Sequence, residues 1–292
     1  MTSLSATVVI STKNRREDLR RALESALAQE PRCHVLVVDD GSTDGTAEMV
    51  RAQYPRVRLE RSEVSRGYIA QRNLAAQLAR TDVVVSIDDD AVFSTSTVVA
   101  QTLAELDDPR VGAVAIPFVN VNSGPRVLQQ APDGSCRWVT EAFTGTAYAV
   151  RRDLFLLLGA FREILVHQGE EGDFCIRMLD AGYFVRLGSA DPILHYESPC
   201  RDRARMDFYG PRNLILHCWQ NVPFPYLPAH LLVTTGKALL HGASPTRLGG
   251  IASGYGLLLR TERDPVRGRT YRLFRLLRSR GALDLDQVAG RR

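Results

Sequence analysis

The chain has 292 residues, 45% of them hydrophobic and 24% charged, which suits one large α/β domain or a domain with a helical appendage and excludes a disordered protein. Net charge is +4, yet residues 260–292 carry ten arginines against four carboxylates, so the excess lies in a tail on a near-neutral body. A positive charge so confined, with no recognisable motif, predicts no nucleic-acid partner.

Residues 6–11 form a short apolar run suited to a strand, and over 17–29 Leu19, Ala22, Leu23, Ala26 and Leu27 share one helical face. Strand patterns follow at 35–38, 57–61, 83–87 and 111–119, with helical patterns between them at 47–54, 69–78 and 98–106. The strands are continuously apolar, which predicts a mostly parallel sheet covered on both faces. From 120 to 187 the text is irregular hairpin and loop, then strand 146–150, helices 154–158 and 172–181, and strand 183–187. Beyond Pro199 it turns to helices at about 203–219, 225–241, 248–260 and 268–279.

The five cysteines (Cys33, Cys136, Cys175, Cys200, Cys218) form no C-x-x-C pair or zinc spacing and read as reduced thiols. The apolar run at 6–10 is too brief for an export signal, and His230 and Lys237 interrupt the longest apolar stretch, so no membrane span is expected. These features predict a cytoplasmic protein.

In open α/β sheets ligands bind at the carboxyl ends of the strands. Here the first strand runs into Ser11-Thr12-Lys13-Asn14-Arg15, the second into Asp39-Asp40-Gly41-Ser42, and the fourth into Asp88-Asp89-Asp90. Carboxylates gathered at one edge repel unless a cation answers them, and Mg²⁺ or Mn²⁺ with oxygen ligands is the common answer. No G-x-G-x-x-G follows a strand and no P-loop is present; the one Gly-Lys pair, Gly236-Lys237, continues with Ala238.

These runs, together with Arg66-Gly67, Arg72-Asn73, residues 145–152, Gly159-Ala160-Phe161 and Glu170-Glu171-Gly172-Asp173, resemble glycosyltransferase family 2 over about residues 5–215. The resemblance implies a GT-A fold: α/β, a mostly parallel central sheet with helices on both faces, here with a helical C-terminal extension. It implies a transferase domain at 1–215, with a nucleotide-sugar half (1–120) and an acceptor half (121–215), and the extension at 216–292. It also implies inverting, metal-dependent transfer from a nucleotide-sugar to a hydroxyl of a saccharide or lipid-linked acceptor. Thr12, Asn14 and Arg15 would line the base pocket, and Asp40 would accept from a pyrimidine ring N–H or a ribose hydroxyl, favouring UDP or dTDP without excluding a guanine nucleotide. Arg72 and Asn73 would sit near nucleoside and diphosphate. Asp88, Asp89 and Asp90 would form the Asp-x-Asp motif, with Asp88 and Asp89 on the nucleotide and Asp88, Asp90 and His195 holding Mn²⁺ or Mg²⁺.

Glu171 stands where the family places its catalytic Asp, after Glu170, and like charge from Glu170 and Asp173 would raise its pKa. Glutamate for aspartate shifts the reach by one methylene, so Glu170 and His167 stand as alternative bases. A non-catalytic nucleotide-sugar-binding protein and a sugar-nucleotide pyrophosphorylase are the competing readings, although Ser11–Arg15 lacks the glycines of the latter. Arg269, Arg272, Arg275 and Arg278, beside Tyr271, Phe274 and Leu277, predict a basic amphipathic helix able to lie on the anionic inner face of a membrane or, equally, to pack on the domain or on a dimer partner.

Overall fold

A computed structural model describes residues 4–197, 202–242 and 244–290. The first half alternates β1 (Ala6–Thr12), α1 (Arg16–Leu27), β2 (His34–Asp39), α2 (Thr46–Gln53), β3 (Arg58–Arg61), α3 (Tyr68–Leu78) and β4 (Val83–Asp88). Then come β5 (Ala91–Phe93), α4 (Val98–Ala104), β6 (Val111–Ala115), β7 (Phe118–Asn120), β8 (Val127–Leu128), β9 (Trp138–Thr140), β10 (Ala147–Arg151) and α5 (Arg152–Leu157). The remainder is α6 (Glu170–Ala181), β11 (Phe184–Leu187), β12 (Ile193–His195), α7 (Arg203–Asn221), α8 (Tyr226–Leu240), α9 (Pro245–Leu258), α10 (Gly268–Arg280), β13 (Leu283–Asp284) and α11 (Leu285–Ala289).

Among the described residues the main sheet has nine strands, ordered β13-β9-β11-β6-β10-β4-β1-β2-β3. Its β3-β2-β1-β4 half is parallel, and β10 runs antiparallel to both β4 and β6. Alternation along the strands feeds two cores, as expected of a sheet covered on both sides. Val8, Ile10, Val35, Val37 and Val85 pack with Leu19 and Leu23 of α1, while Val9, Leu36, Val38 and Val84 pack with Ile69 and Ala75 of α3.

The single strand expected at 111–119 is in fact two. Pro117 has no N–H for a ladder, and there the chain leaves the main sheet as β6 and enters a second sheet, β5-β12-β7-β8, as β7. The C-terminal helices do not end apart from the body either. β13 pairs with β9, Leu283 facing Val139, and so closes the edge of the main sheet. α7 runs through the expected division at residue 215. α10 has the expected basic character, but its apolar side is already used: Tyr271, Leu273, Phe274 and Leu277 are buried in the body's core. That face therefore has nothing left for a lipid surface. Cys33, Cys136, Cys175 and Cys218 are free thiols; Cys200 lies outside the described residues.

Candidate functional site

The carboxyl ends of β1, β2 and β4 open onto a cavity of about 860 Å³. At one end lies the Asp88-Asp89-Asp90 turn between β4 and β5. Pairing of β12 with β5 sets His195 opposite Ala91, and pairing with β7 sets it opposite Asn120. Two strands remote in sequence thus bring an imidazole to the acidic turn.

Ligand atoms of Asp88, Asp90 and His195 lie within 4.8 Å of one another. His195 Nε2 is 3.2 Å from Asp90 Oδ1 and 4.0 Å from Asp88 Oδ2. Its Nδ1 sits 2.6 Å from Asn120 Oδ1. An amide oxygen only accepts, so Nδ1 carries a proton and Nε2 is the nitrogen left facing a carboxylate. Two lone-pair groups held face to face need a proton or a cation between them. Two carboxylates and an imidazole oriented by an outer amide form a donor set that fits Mn²⁺ or Mg²⁺.

Arg15 approaches the same carboxylates, 2.5 Å from Asp90 and 3.5 Å from Asp89. Burial pushes Asp90 up, but the bonds and charges of His195 and Arg15 more than reverse this and leave it below the ordinary carboxylate range. Asp89, 8% exposed, is pushed up to about 7 by burial despite Arg15 and a 2.7 Å bond from Thr12 Oγ1.

Across the Arg72 guanidinium stands the second acidic group. Gly169, at φ +87°, turns the chain into α6, so Glu170 and Glu171 occupy its first turn. Glu171 lines the cavity and accepts the Gly145 N–H at 3.0 Å. Glu170 is 0% exposed and bonds inward, to Tyr68 Oη at 3.2 Å and Arg72 at 3.3 Å. Arg72 also donates to Asp88 at 2.7 Å and to the Gly145 carbonyl at 2.9 Å, with its guanidinium over the Tyr68 ring. A Cβ at Gly145 would stand 2.5 Å from Glu171 Oε1 and 2.6 Å from Arg72 Nη1, so a larger residue would have to displace both side-chain ends.

Both glutamates are raised above the ordinary carboxylate range. Burial is the main cause, opposed by Arg72, and Glu171 adds to the effect at Glu170. The repulsion expected from Asp173 is not a leading cause, because Asp173 points inward to Arg162 at 2.6 Å and Arg177 at 3.1 Å. His167 also lines the cavity; its Nδ1 is buried without a hydrogen-bond partner among the described residues, and burial lowers its pKa.

Thr12, Arg15, Asp40, Arg72, Asp88, Asp89, Asp90, Glu171 and His195 all reach the cavity. Asn14, Asn73 and Glu170 do not line it. Asn14, at φ +55°, accepts the Thr43 N–H and ties the first loop to the second. Asn73 is turned toward Phe161 and Glu163, where it holds the 161–163 segment in place. Asp40 is within the cavity wall, but its oxygens accept from Ser65 Oγ, the Arg66 and Gly67 N–H groups and Gln71 Nε2. A carboxylate offers about four acceptor positions, so no lone pair is left over for a nucleobase in this arrangement. Sequence reasoning missed Asn120 and Tyr68, and it noted the run 145–152 without giving Gly145 a role. Tyr68 had a local signal, following the Arg66-Gly67 pair, and Asn120 had none.

The sequence model of glycosyl transferase family 2 matches residues 7–158. The chain is 37% identical over 89 residues to the succinoglycan biosynthesis protein ExoU of Rhizobium meliloti (strain 1021), covering 30% of this chain and 26% of that protein. It is 27% identical over 224 residues to a pre-mycofactocin glycosyltransferase of Mycobacterium tuberculosis (strain CDC 1551 / Oshkosh), covering 70% of this chain and 46% of that one. The chain thus spans about a quarter to a half of these relatives. In fold it resembles the mannosyltransferase PcManGT of Pyrobaculum calidifontis, solved with GDP-Man and Mn²⁺: TM-score 0.61 at 24% identity, covering 96% of this chain and 80% of that one. The architecture is that of GT-A glycosyltransferases.

Proposed function

The chain belongs to glycosyltransferase family 2, and from that premise we propose that it moves a sugar from a nucleoside-diphosphate sugar to a hydroxyl of a saccharide or lipid-linked acceptor, with inversion. One observation carries the reading: a three-ligand cation site and a cavity-facing carboxylate with raised pKa share a single cavity, separated by Arg72. Membership in the family sets the pyrophosphorylase reading aside.

Asp88, Asp90 and His195 would hold Mn²⁺ or Mg²⁺, which when bound supplies a Lewis acid for the charge growing on the departing diphosphate. Arg72 and Arg15 orient and screen the carboxylates around that position. Displacement at the anomeric carbon passes through an oxocarbenium-like state, so the acceptor oxygen must lose its proton as it attacks. Glu171 takes that proton. Burial raises its proton affinity toward working pH, and the Gly145 N–H fixes one of its oxygens at the cavity wall. Glu170 supports this as the inner partner of Arg72 and Tyr68.

Donors of the UDP and dTDP class come first for test, and GDP next. Asp40 would read a pyrimidine ring only by exchanging one of its four protein donors, and the single-bonded Ser65 hydroxyl is the easiest to displace. Glu171→Gln tests the assignment. Transfer falls by about 10²–10⁴-fold, the worth of a general base, while donor affinity stays within a few-fold. Near-normal release of nucleoside diphosphate by this variant refutes Glu171 as the base.

A further inference from the structure

The C-terminal helices carry a surface that the transfer site does not use. α8 buries only Leu227. Its Leu232, Val233 and Leu240 are 75%, 54% and 86% exposed, and with Ala229 and Gly236 they recur three and four residues apart along one side of the helix. α9 repeats the pattern with Leu248, Ala252 and Tyr255, continued by Leu259, which is 93% exposed. The opposite side of α9 is seated tightly on α7. A Cβ at Gly250 would strike the Phe208 carbonyl, and one at Gly254 would lie 3.1 Å from the Arg212 carbonyl. This close seat fixes which face of α9 points outward. The hydroxyls of Thr235 and Tyr255 meet at 2.7 Å, so the two apolar stripes join in one ridge.

The charge along α8 and α9 is of one sign, and the first carboxylates beyond α9 are Glu262 and Asp264. Residues 208–261 contain no Asp or Glu. Lys237 flanks the α8 stripe and Arg260 follows the α9 stripe, both exposed. From the side of α10, Arg275 and Arg278 act with Lys237 on His230 of α8 and, after burial, lower its pKa. Arg247 is set aside because Asp207 already answers it. The apolar side of α10 itself is buried, so only its cations take part.

We propose that this α8–α9 ridge docks on an anionic lipid surface, its leucines entering the headgroup boundary and Lys237, Arg260 and the α10 arginines meeting anionic headgroups. A second copy of the chain is the poorer occupant. A two-fold contact would set the same cations against themselves with no carboxylate from this segment to answer them. Among the described residues no helix is long and apolar enough to cross a membrane. The inference does not depend on the transfer chemistry.

The test is co-sedimentation of the full chain with vesicles of phosphatidylcholine alone and of equimolar phosphatidylcholine and phosphatidylglycerol. Binding is expected to the anionic vesicles, weakened by salt, with at least about tenfold less to the neutral ones. The double variant Leu232→Glu/Leu259→Glu should lose about tenfold or more of that binding. Both side chains are exposed, so its melting temperature should match the parent's. Lys237→Glu should reduce the preference for anionic lipid. Absence of binding, equal binding to both vesicles, or binding untouched by the leucine substitutions overturns the proposal. So does a dimer in sedimentation velocity that dissociates in the double variant, which would make the ridge a self-interface.

Discussion

Arg72→Met tests whether the centre of the cavity is a coupled charge network. The Arg72 side chain is 8% exposed and pairs with Glu170, which is 0% exposed, at 3.3 Å and with Asp88 at 2.7 Å. Methionine fills much of the same space but removes the charge. Deleting one partner of a buried pair costs about 3–5 kcal/mol because the other is left unanswered. At about 2–4 °C per kcal/mol for a domain this large, the melting temperature should fall by roughly 6–20 °C. The pH dependence carries the sharper signature. Arg72 holds down the proton affinity of both glutamates, so its loss raises Glu170 further above its unfolded value. The folded state then keeps a proton that the unfolded state has released, and stability falls as pH rises through the neutral range. Adding Glu170→Gln removes the carboxyl group that must take up that proton while still accepting from Tyr68. The double variant should recover about half the loss or more and lose the extra pH slope. Calorimetric melts at pH 6 and pH 8 read both effects. A single variant melting within about 2 °C of the parent, or a double variant no better than the single, refutes the coupling.

Asn120→Leu leaves the three proposed metal ligands in place but removes the oxygen that orients His195, so Mn²⁺ affinity should fall about 10–100-fold, with Asn120→Asp restoring most of it. Titration of Mn²⁺ by electron paramagnetic resonance reads this, and unchanged affinity contradicts the donor set. Arg177 and Arg162 hold the buried Asp173 below its ordinary value against the effect of burial, so its stabilisation is complete above the unfolded aspartate pKa and is lost as pH falls through the folded one. Asp173→Asn should therefore be less stable at pH 7, by about 3–5 kcal/mol, and show a shallower acid limb in urea unfolding; parallel limbs contradict the assignment.

Most of the parallel half of the sheet was legible because β1, β2 and β4 are buried on both faces, which leaves largely apolar runs such as Val83–Ile87 ending abruptly in acid, whereas the edge strand β3 is polar and not buried. The Asp88–Asp90 carboxylates were legible for the same reason. The second sheet was not: β5, β7 and β12 are three residues each and pair across about 75–100 positions, so no local period marks them. Asn120 stayed hidden with that sheet. Asp40 and Asn73 illustrate a different limit. Residue type and position suited a nucleotide contact, but their donors and acceptors lie on Ser65–Gly67 and on Phe161–Glu163, which only the folded chain brings near. In α10 the periodicity was right, but what covers its apolar face is a tertiary fact.

The central claim is a donor site completed by a divalent ion. Calorimetric titration of UDP, dTDP and GDP, each with and without Mn²⁺, tests it most directly. The account predicts that one diphosphate binds tightly with Mn²⁺ and at least about tenfold more weakly without it, and that His195→Ala abolishes the difference. Folded protein that binds none of the three, or binds equally well with and without the ion, would contradict it.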